Sequence, residues 1–214
     1  MPDVTPQTDD ATLATLARDG DRSAVATLLE RHERRLYHVV LGMLRHRDDA
    51  ADVTQDALVK VVQNLDGFRG DAQVTTWMTR IAMNQAISFL RKQKRRPTTS
   101  LDAERNGHSG EGQAYTLRHQ LEQQREPSPS HGVEQQEQED RLRDAIAALD
   151  EPFRAVLVLR DLDQMDYQQI AEALDLPLGT VKSRLFRARL MLRDLLRADD
   201  PMEPTLTPGL DTQA

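Results

Sequence analysis

The stretch from Leu178 to Arg197 constrains this chain more than any other. On a helix, Val181, Leu185, Ala188 and Leu192 recur at i, i+4, i+7 and i+11, an apolar stripe. Lys182, Ser183, Phe186 and Arg187 gather on another side. The stretch holds six Lys/Arg against one acid, Asp194. Pro177 precedes it, and proline at a first helical turn gives up no hydrogen bond. A second amphipathic helix reads upstream from Tyr167 to Leu174, with Ile170, Ala171 and Leu174 apolar. Only Asp175-Leu176-Pro177 separates the two. A basic amphipathic helix alone is ordinarily a solvated surface. Two helices across a tight turn, the second basic on its outer face, instead form a helix-turn-helix, and that outer face suits the major groove of DNA. Lys182 and Arg187, opposite the stripe, are placed to meet base edges; Arg184 and Arg189, on its flanks, to meet phosphates.

Composition narrows the rest. Hydrophobic residues make up 38% of the 214 and aromatics 4%, so any core is mostly Leu, Val, Ile and Ala. No sustained two-residue alternation marks a strand, and an all-α protein follows. With zero cysteines, disulfides, thiolate zinc sites and a cysteine redox switch are excluded from this chain. No apolar run approaches the roughly 20 residues that span a bilayer. Met1-Pro2-Asp3-Val4 opens no basic-then-apolar leader, so a cytoplasmic location is expected. The net charge of −7 hides a pattern. Arg91, Lys92, Lys94, Arg95 and Arg96 form one basic cluster and the C-terminal helix another. Residues 97–140 and the tail from Asp199 are acidic. Concentrated cations on an acidic chain favour local phosphate contact over non-specific adhesion.

Residues 10–96 read as a run of helices with short connections. Asp9 or Asp10 caps a first one ending near Gly20. A second runs from Asp21 to about Arg45 and carries Leu29, Leu36, Val40 and Met43 or close neighbours at helical spacing. A third runs from Asp48 to Leu65 with Val53, Ala57, Val61 and Leu65 apolar. A turn follows over Asp66–Asp71, then a helix from Val74 to Arg95, stopped by Pro97. Residues 97–136 carry Gly, Pro, Gln and Ser and few large apolar side chains, the composition of a flexible acidic linker. A second helical unit occupies 137–198, with Leu142, Ile146 and Leu149, then Pro152–Leu162, then the helix-turn-helix. Residues 1–9 and the proline-bearing segment 199–214 read as tails, the latter as disordered.

Two further faces stand out. Asp52, Gln55, Asp56 and Val59 share the side of the third helix opposite its apolar stripe. On the next helix Trp77, Arg80, Asn84, Ser88 and Arg91 align. A lone Trp at helical spacing is commonly core; beside Arg80 and the basic cluster, it is placed for stacking on an unpaired base.

The chain resembles a bacterial RNA polymerase sigma factor of the extracytoplasmic-function type. The resemblance rests on Asp49-Ala50-Ala51-Asp52-Val53-Thr54-Gln55-Asp56, on Leu65-Asp66-Gly67-Phe68-Arg69-Gly70-Asp71 with Thr76–Asn84, and on Gly179-Thr180-Val181-Lys182-Ser183-Arg184, in that order. It implies two small helical domains joined by the linker: a sigma-2 bundle over 10–96 and a sigma-4 helix-turn-helix over 137–198. It further implies that Asp52, Gln55 and Asp56 dock on the polymerase β′ clamp helices. Phe68, Arg69, Trp77, Arg80, Asn84 and Arg91 would hold and read the melted −10 element, with a pocket near Phe68 and Asn84. Lys182, Ser183, Arg184, Phe186 and Arg187 would face the −35 element. The implied partners are core RNA polymerase, through the β′ clamp helices and the β flap, and promoter DNA; the resemblance also admits an anti-sigma factor. This chain has Ala51-Asp52-Val53-Thr54-Gln55-Asp56 where the family more often has Asp-Leu-Val-Gln-Glu, with Thr54 and the shorter acid Asp56 as departures.

An enzyme reading finds no support. His32-Glu33 lacks a histidine four residues on, where Leu36 stands, so the helical zinc-protease pattern is absent. Gly107-His108-Ser109-Gly110 fails the nucleophile-elbow pattern, and no phosphate-cradling loop occurs. No catalytic residue, metal, cofactor or small-molecule substrate is therefore expected, and the six scattered histidines read as surface or linker residues. The rival to a sigma factor is a stand-alone helix-turn-helix regulator binding an operator, a reading that leaves residues 10–96 without a role.

Overall fold

The computed structural model describes residue 5, residues 7–95 and residues 129–198, apart from the side chains of 129–137 and 139. The described residues are helical with turns between and contain no strand. The linker expected at 97–136 lies outside them as far as residue 128, as do Pro97, Arg96 and the tail from 199.

Four helices form the first unit: α1 (Asp10–Arg18), α2 (Arg22–Leu44), α3 (Arg47–Gln63) and α4 (Val74–Arg95). Their starts follow from local chemistry. The Asp9 carboxylate accepts from the Thr12 amide at 3.0 Å and the Thr12 hydroxyl at 2.7 Å. Asp21 accepts from the amides of Ser23 and Ala24 at 2.8 and 3.1 Å. Each such cap contributes about 1 kcal/mol. The long α2 is the centre of the bundle, with α1, α3 and α4 packed around it. Leu28, Leu36, Val40 and Met43 of α2 and Val53, Ala57 and Val61 of α3 are buried. A single 3₁₀ turn, Leu65–Gly67, leads into the loop before α4.

The second unit comprises α5 (Pro129–Ala148), α6 (Glu151–Leu157), α7 (Tyr167–Leu174) and α8 (Leu178–Ala198). α5 starts at residue 129, inside the span that composition assigns to the linker. The segment Val133–Asp140 is rich in Gln and Glu, good helix formers that need no buried face to be helical, so polarity there does not mean coil. Leu142, expected on the core side, is 39% exposed, whereas Ile146 and Leu149 are buried. α6 continues into a π turn, Val158–Leu162. α7 opens on a capping box. The Asp166 carboxylate accepts from the Gln169 amide at 2.8 Å, and the Gln169 side chain accepts from the Asp166 amide at 2.9 Å. Asp175 closes α7 in the left-handed region at φ 53°. The Pro177 carbonyl then accepts from Thr180 and Val181, which starts α8. α6 and α7 both pack on α8.

The two units, expected as two helical domains joined by a linker, are packed together. α4 lies against α7, and α2 against the π turn, α5 and α6. Their buried side chains merge into one apolar cluster. Gly42, in the interior of α2, marks the close approach. A Cβ there would stand 3.0 Å from Leu162 Cδ1 and 3.1 Å from both Val158 methyls. Glycine inside a helix costs about 0.5–1 kcal/mol relative to alanine, and the adjoining π turn accounts for its presence here.

Candidate nucleic-acid and polymerase interface

The outer face of α8 is built as the spacing predicts. Val181, Leu185 and Ala188 are buried, while Lys182, Ser183, Phe186 and Arg187 are exposed and Arg184 is half-buried. Phe186 is 67% exposed, an extreme value for a phenyl ring in a folded chain. Beside it the Lys182 ammonium lies 6.0 Å from the Tyr167 ring, which the Arg160 guanidinium approaches to 5.1 Å. The Ser183 hydroxyl turns back to the Thr180 carbonyl at 3.1 Å. Arg189, expected to meet phosphates, has a partner within the unit. It forks onto Asp161 at 2.6 and 3.2 Å, and that hydrogen bond raises its pKa. The pair is exposed on the surface of the unit.

On α4, Arg80, Asn84 and Ser88 are exposed and Trp77 half-buried. Trp77 does not stand free. Phe68, in the loop before α4, packs on it with ring centroids 5.1 Å apart and planes tilted by 48°. A cleft of about 580 Å³ opens beside this pair. Its walls are the loop from Phe68 to Gln73, including Arg69 and Asp71, the first residues of α4, Val74 and Thr75, and the α1 residues Asp10, Ala14, Thr15 and Arg18. The pocket expected near Phe68 and Asn84 thus lies at Phe68 but not at Asn84, and α1 supplies its second wall. The period of α1 reveals only that it is amphipathic. Nothing in its own spacing shows what lies across from it. Arg69 is exposed, and Arg91 pairs with Glu151 of the second unit at 3.2 Å.

On α3, Asp52, Gln55 and Asp56 are all exposed, and the Gln55 amide donates to Glu33 of α2 at 3.0 Å. Two valines share this face: Val59 is 55% and Val62 42% exposed. An apolar centre rimmed by carboxylates is the make-up of a protein-docking patch rather than of plain solvated surface. The i, i+3, i+7 spacing from Asp52 and Gln55 could have included Val62.

One histidine departs from the surface reading. His32 of α2 is buried, its Nε2 2.8 Å from Asp10 Oδ2. Burial pushes its pKa down, and this outweighs the opposing pull of the Asp10 carboxylate. The ring is therefore neutral near pH 7 and donates Nε2–H to Asp10. Arg31 also reaches Asp10, at 2.5 Å, so one carboxylate ties α1 to α2 through two side chains.

Comparison with known proteins places this geometry. Residues 28–96 match the model of Sigma-70 region 2, and residues 139–192 match that of Sigma-70 region 4. The chain is 32% identical to the ECF RNA polymerase sigma-E factor of Haemophilus influenzae over 195 residues, covering 89% of this chain and 97% of that one. It is 34% identical to the Escherichia coli sigma-E factor, covering 86% and 92%. The chain belongs to the extracytoplasmic-function sigma factors. Region 2 then runs from within α2 to the end of α4, with α1 outside the match, and region 4 runs from the middle of α5 into α8. Bacillus subtilis SigW is 32% identical, covering 84% of this sigma factor and 92% of its own length. CnrH, solved in complex with the cytosolic domain of CnrY, superposes with a TM-score of 0.63 at 26% identity, covering 89% of this chain and 99% of that one. The sigma factor RpoE of Bartonella quintana, solved with the anti-sigma factor NepR, shares the fold with a TM-score of 0.57 at 22% identity, covering 80% and 96%. Among the described residues, no helix is long and apolar enough to cross a membrane.

Proposed function

We propose that this sigma factor directs core RNA polymerase to promoters, with the work divided among three faces. The α3 patch of Asp52, Gln55 and Asp56, centred on Val59 and Val62, docks on the β′ clamp helices, and the second unit meets the β flap. Phe68, Arg69, Trp77, Arg80, Asn84 and Arg91 hold the unpaired −10 strand. Lys182, Ser183, Arg184, Phe186 and Arg187 read the −35 element. The observation that carries this reading is Phe186: a phenyl ring 67% exposed between cations on the outer face of a helix-turn-helix helix. Apolar contact with a thymine methyl and hydrogen bonds from flanking cations to base edges are how such a face reads the major groove.

Melting needs no chemical step. A surface that binds the unpaired strand better than the duplex shifts the equilibrium towards opening. Unstacking a base costs a few kcal/mol and aromatic stacking returns about 1–3 kcal/mol. The Phe68–Trp77 pair supplies rings, the neighbouring cleft supplies room, and Lys92, Lys94 and Arg95 at the end of α4 supply charge for phosphates. An anti-sigma factor fits as a regulating partner, since CnrH was solved with a second chain on it.

The test is co-purification with core enzyme. Asp52→Ala with Gln55→Ala, and separately Val59→Gln, should each reduce recovered core polymerase about tenfold, roughly 1.4 kcal/mol, with helicity unchanged. Undiminished recovery from both variants would refute the docking face.

A further inference from the structure

The outer face of α8 runs further than the part assigned to base reading. Lys182, Phe186, Arg193 and Arg197 recur at i, i+4, i+11 and i+15, so they share one side of the helix. All four are exposed. The cations of α8 divide by partner. Arg189 pairs with Asp161 and Arg193 with Asp194, at 2.6 and 2.8 Å. Lys182, Arg184, Arg187 and Arg197 form no ion pair with any described residue. Among them stands Phe186, 67% exposed. The described residues thus leave four cations unpaired around an uncovered phenyl ring. Such a face attracts an anionic chain that also carries apolar groups.

The chain itself holds such a segment. Residues 199–214, outside the described residues, follow directly on α8. They carry Asp199, Asp200, Glu203 and Asp211 and no Lys or Arg, with Met202, Leu206 and Leu210 interspersed. Four acids match four unpaired cations, and the apolar side chains match the exposed ring. Reach permits the match. Lys182 lies 16 residues before Ala198, about 24 Å along a helix, and a segment of that length extends to about 50 Å. Arg197 and Arg193 line the way from its start back to the reading residues. The linker is a poorer match, because its residues 97–128 set Arg105, Arg118 and Arg125 among their acids.

We propose that residues 199–214 fold back along the outer face of α8 and cover the −35 reading residues in the free protein, an intramolecular stand-in for the DNA backbone that promoter DNA must displace. The inhibitory role rests on the −35 reading above; the seating of the segment does not. Its cost to DNA binding is the covered fraction, because apparent affinity falls in proportion to the uncovered population. Few charges suffice, since a segment tethered beside its site acts at a local concentration on the order of millimolar.

The full-length chain, which has no cysteine of its own, serves for both measurements. Spin labels at Gln168→Cys and Thr207→Cys report by pulsed electron resonance whether the segment lies on the face. Gln168 is exposed and adjoins Tyr167, whose ring lies 6.0 Å from the Lys182 ammonium. The free protein should show a dominant short distance. Neutralising the segment with Asp199→Asn, Asp200→Asn, Glu203→Gln and Asp211→Asn together should raise the ratio of long to short distances about tenfold. Met202→Ser, Leu206→Ser and Leu210→Ser together should raise it about threefold, since the charges remain. Affinity for a pool of random-sequence duplexes of about 20 base pairs, at about 50 mM salt, should rise by the same factors. Wild-type affinity should also fall less steeply with salt than that of the neutralised variant, because screening loosens the seat along with the DNA contacts. The serine variant keeps every charge, so plain repulsion between DNA and an unseated acidic segment gives no gain from it. A wild-type chain showing only long distances, or a distribution that the neutralised variant leaves unmoved, overturns the seat. A gain in affinity from the neutralised variant with none from the serine variant reduces the effect to repulsion and overturns the proposal. If the distances shift and affinity does not, the inhibitory role falls and the seat stands. If no chain binds DNA, the −35 reading fails, and the distances alone decide the seat.

Discussion

Replacing Arg154 with methionine should lower the melting temperature by roughly 5–15 °C, a span worked from its contacts. The guanidinium is a knot of helix ends. It donates to the carbonyls of Ala147 and Leu149, where α5 finishes, and to Met43 at the end of α2, the last two at 2.8 and 2.7 Å. Hydrogen bonds to a charged group net about 1.5–3 kcal/mol each, so three would sum to roughly 4.5–9 kcal/mol. Two observations pull the figure down. Burial depresses the Arg154 pKa beyond what Glu151 restores, and Nε is buried without a partner. The charge thus sits where water would solvate it better, and methionine recovers that desolvation while keeping the stem's packing. A net loss of about 2–4 kcal/mol remains, and at about 2–4 °C per kcal/mol for a chain of this size it gives the stated span. Thermal unfolding followed by circular dichroism is the assay. Arg154→Lys, a single point donor, should fall between wild type and methionine. A methionine variant melting within about 2 °C of wild type would refute the reasoning, because the three carbonyls would then have been satisfied by water at no net loss.

The other expectations concern function and pH. Phe68→Ala removes the ring stacked on Trp77 and should impair open-complex formation more than closed-complex binding; normal permanganate reactivity of promoter thymines in the variant would contradict it. Arg187→Ala should change which −35 sequences are preferred, by about 1–3 kcal/mol at the base it reads. Arg189→Ala, which breaks the fork onto Asp161, should lower the melting temperature and leave that preference intact; a promoter library scored with both variants, together with their melting curves, separates the two. His32 binds its proton less tightly folded than unfolded, where its pKa is near 6.5. Its contribution to stability is therefore complete above that value and lost as pH falls through and below it. His32→Gln should flatten the fall in melting temperature between pH 7.5 and 5.5, and an equally steep fall in the variant would show that another group carries it.

Helices and caps were legible in the residues because their causes are local. α4 begins at Val74 as its period requires, and Asp9, one of the two acids read as a first cap, caps α1. The tight turn through Asp175 and the buried stripe of α8 follow from spacing alone, and so do the exposed positions of Lys182, Phe186 and Arg187, since a 3.6-residue period fixes which side chains oppose a buried face. What composition misread was also local: Val133–Asp140 is polar enough to pass for linker but is made of helix formers.

Everything that depended on a neighbour across space stayed hidden. His32 reads as one scattered histidine until Asp10, on another helix, is set 2.8 Å away. The spacing of α8 does not show that Arg189 has Asp161 beside it. The cleft beside Phe68 has a wall from α1, and the units meet through Arg35 and Asp163, far apart in sequence. Gly42 carried the nearest thing to a signal, a glycine where a helix would rather have alanine, but its meaning came only with the methyls of Val158 and Leu162 above it. Periodicity specifies which face of a helix is buried; only the packed structure specifies against what, because pairing between distant segments is set by the shape and charge of both surfaces at once.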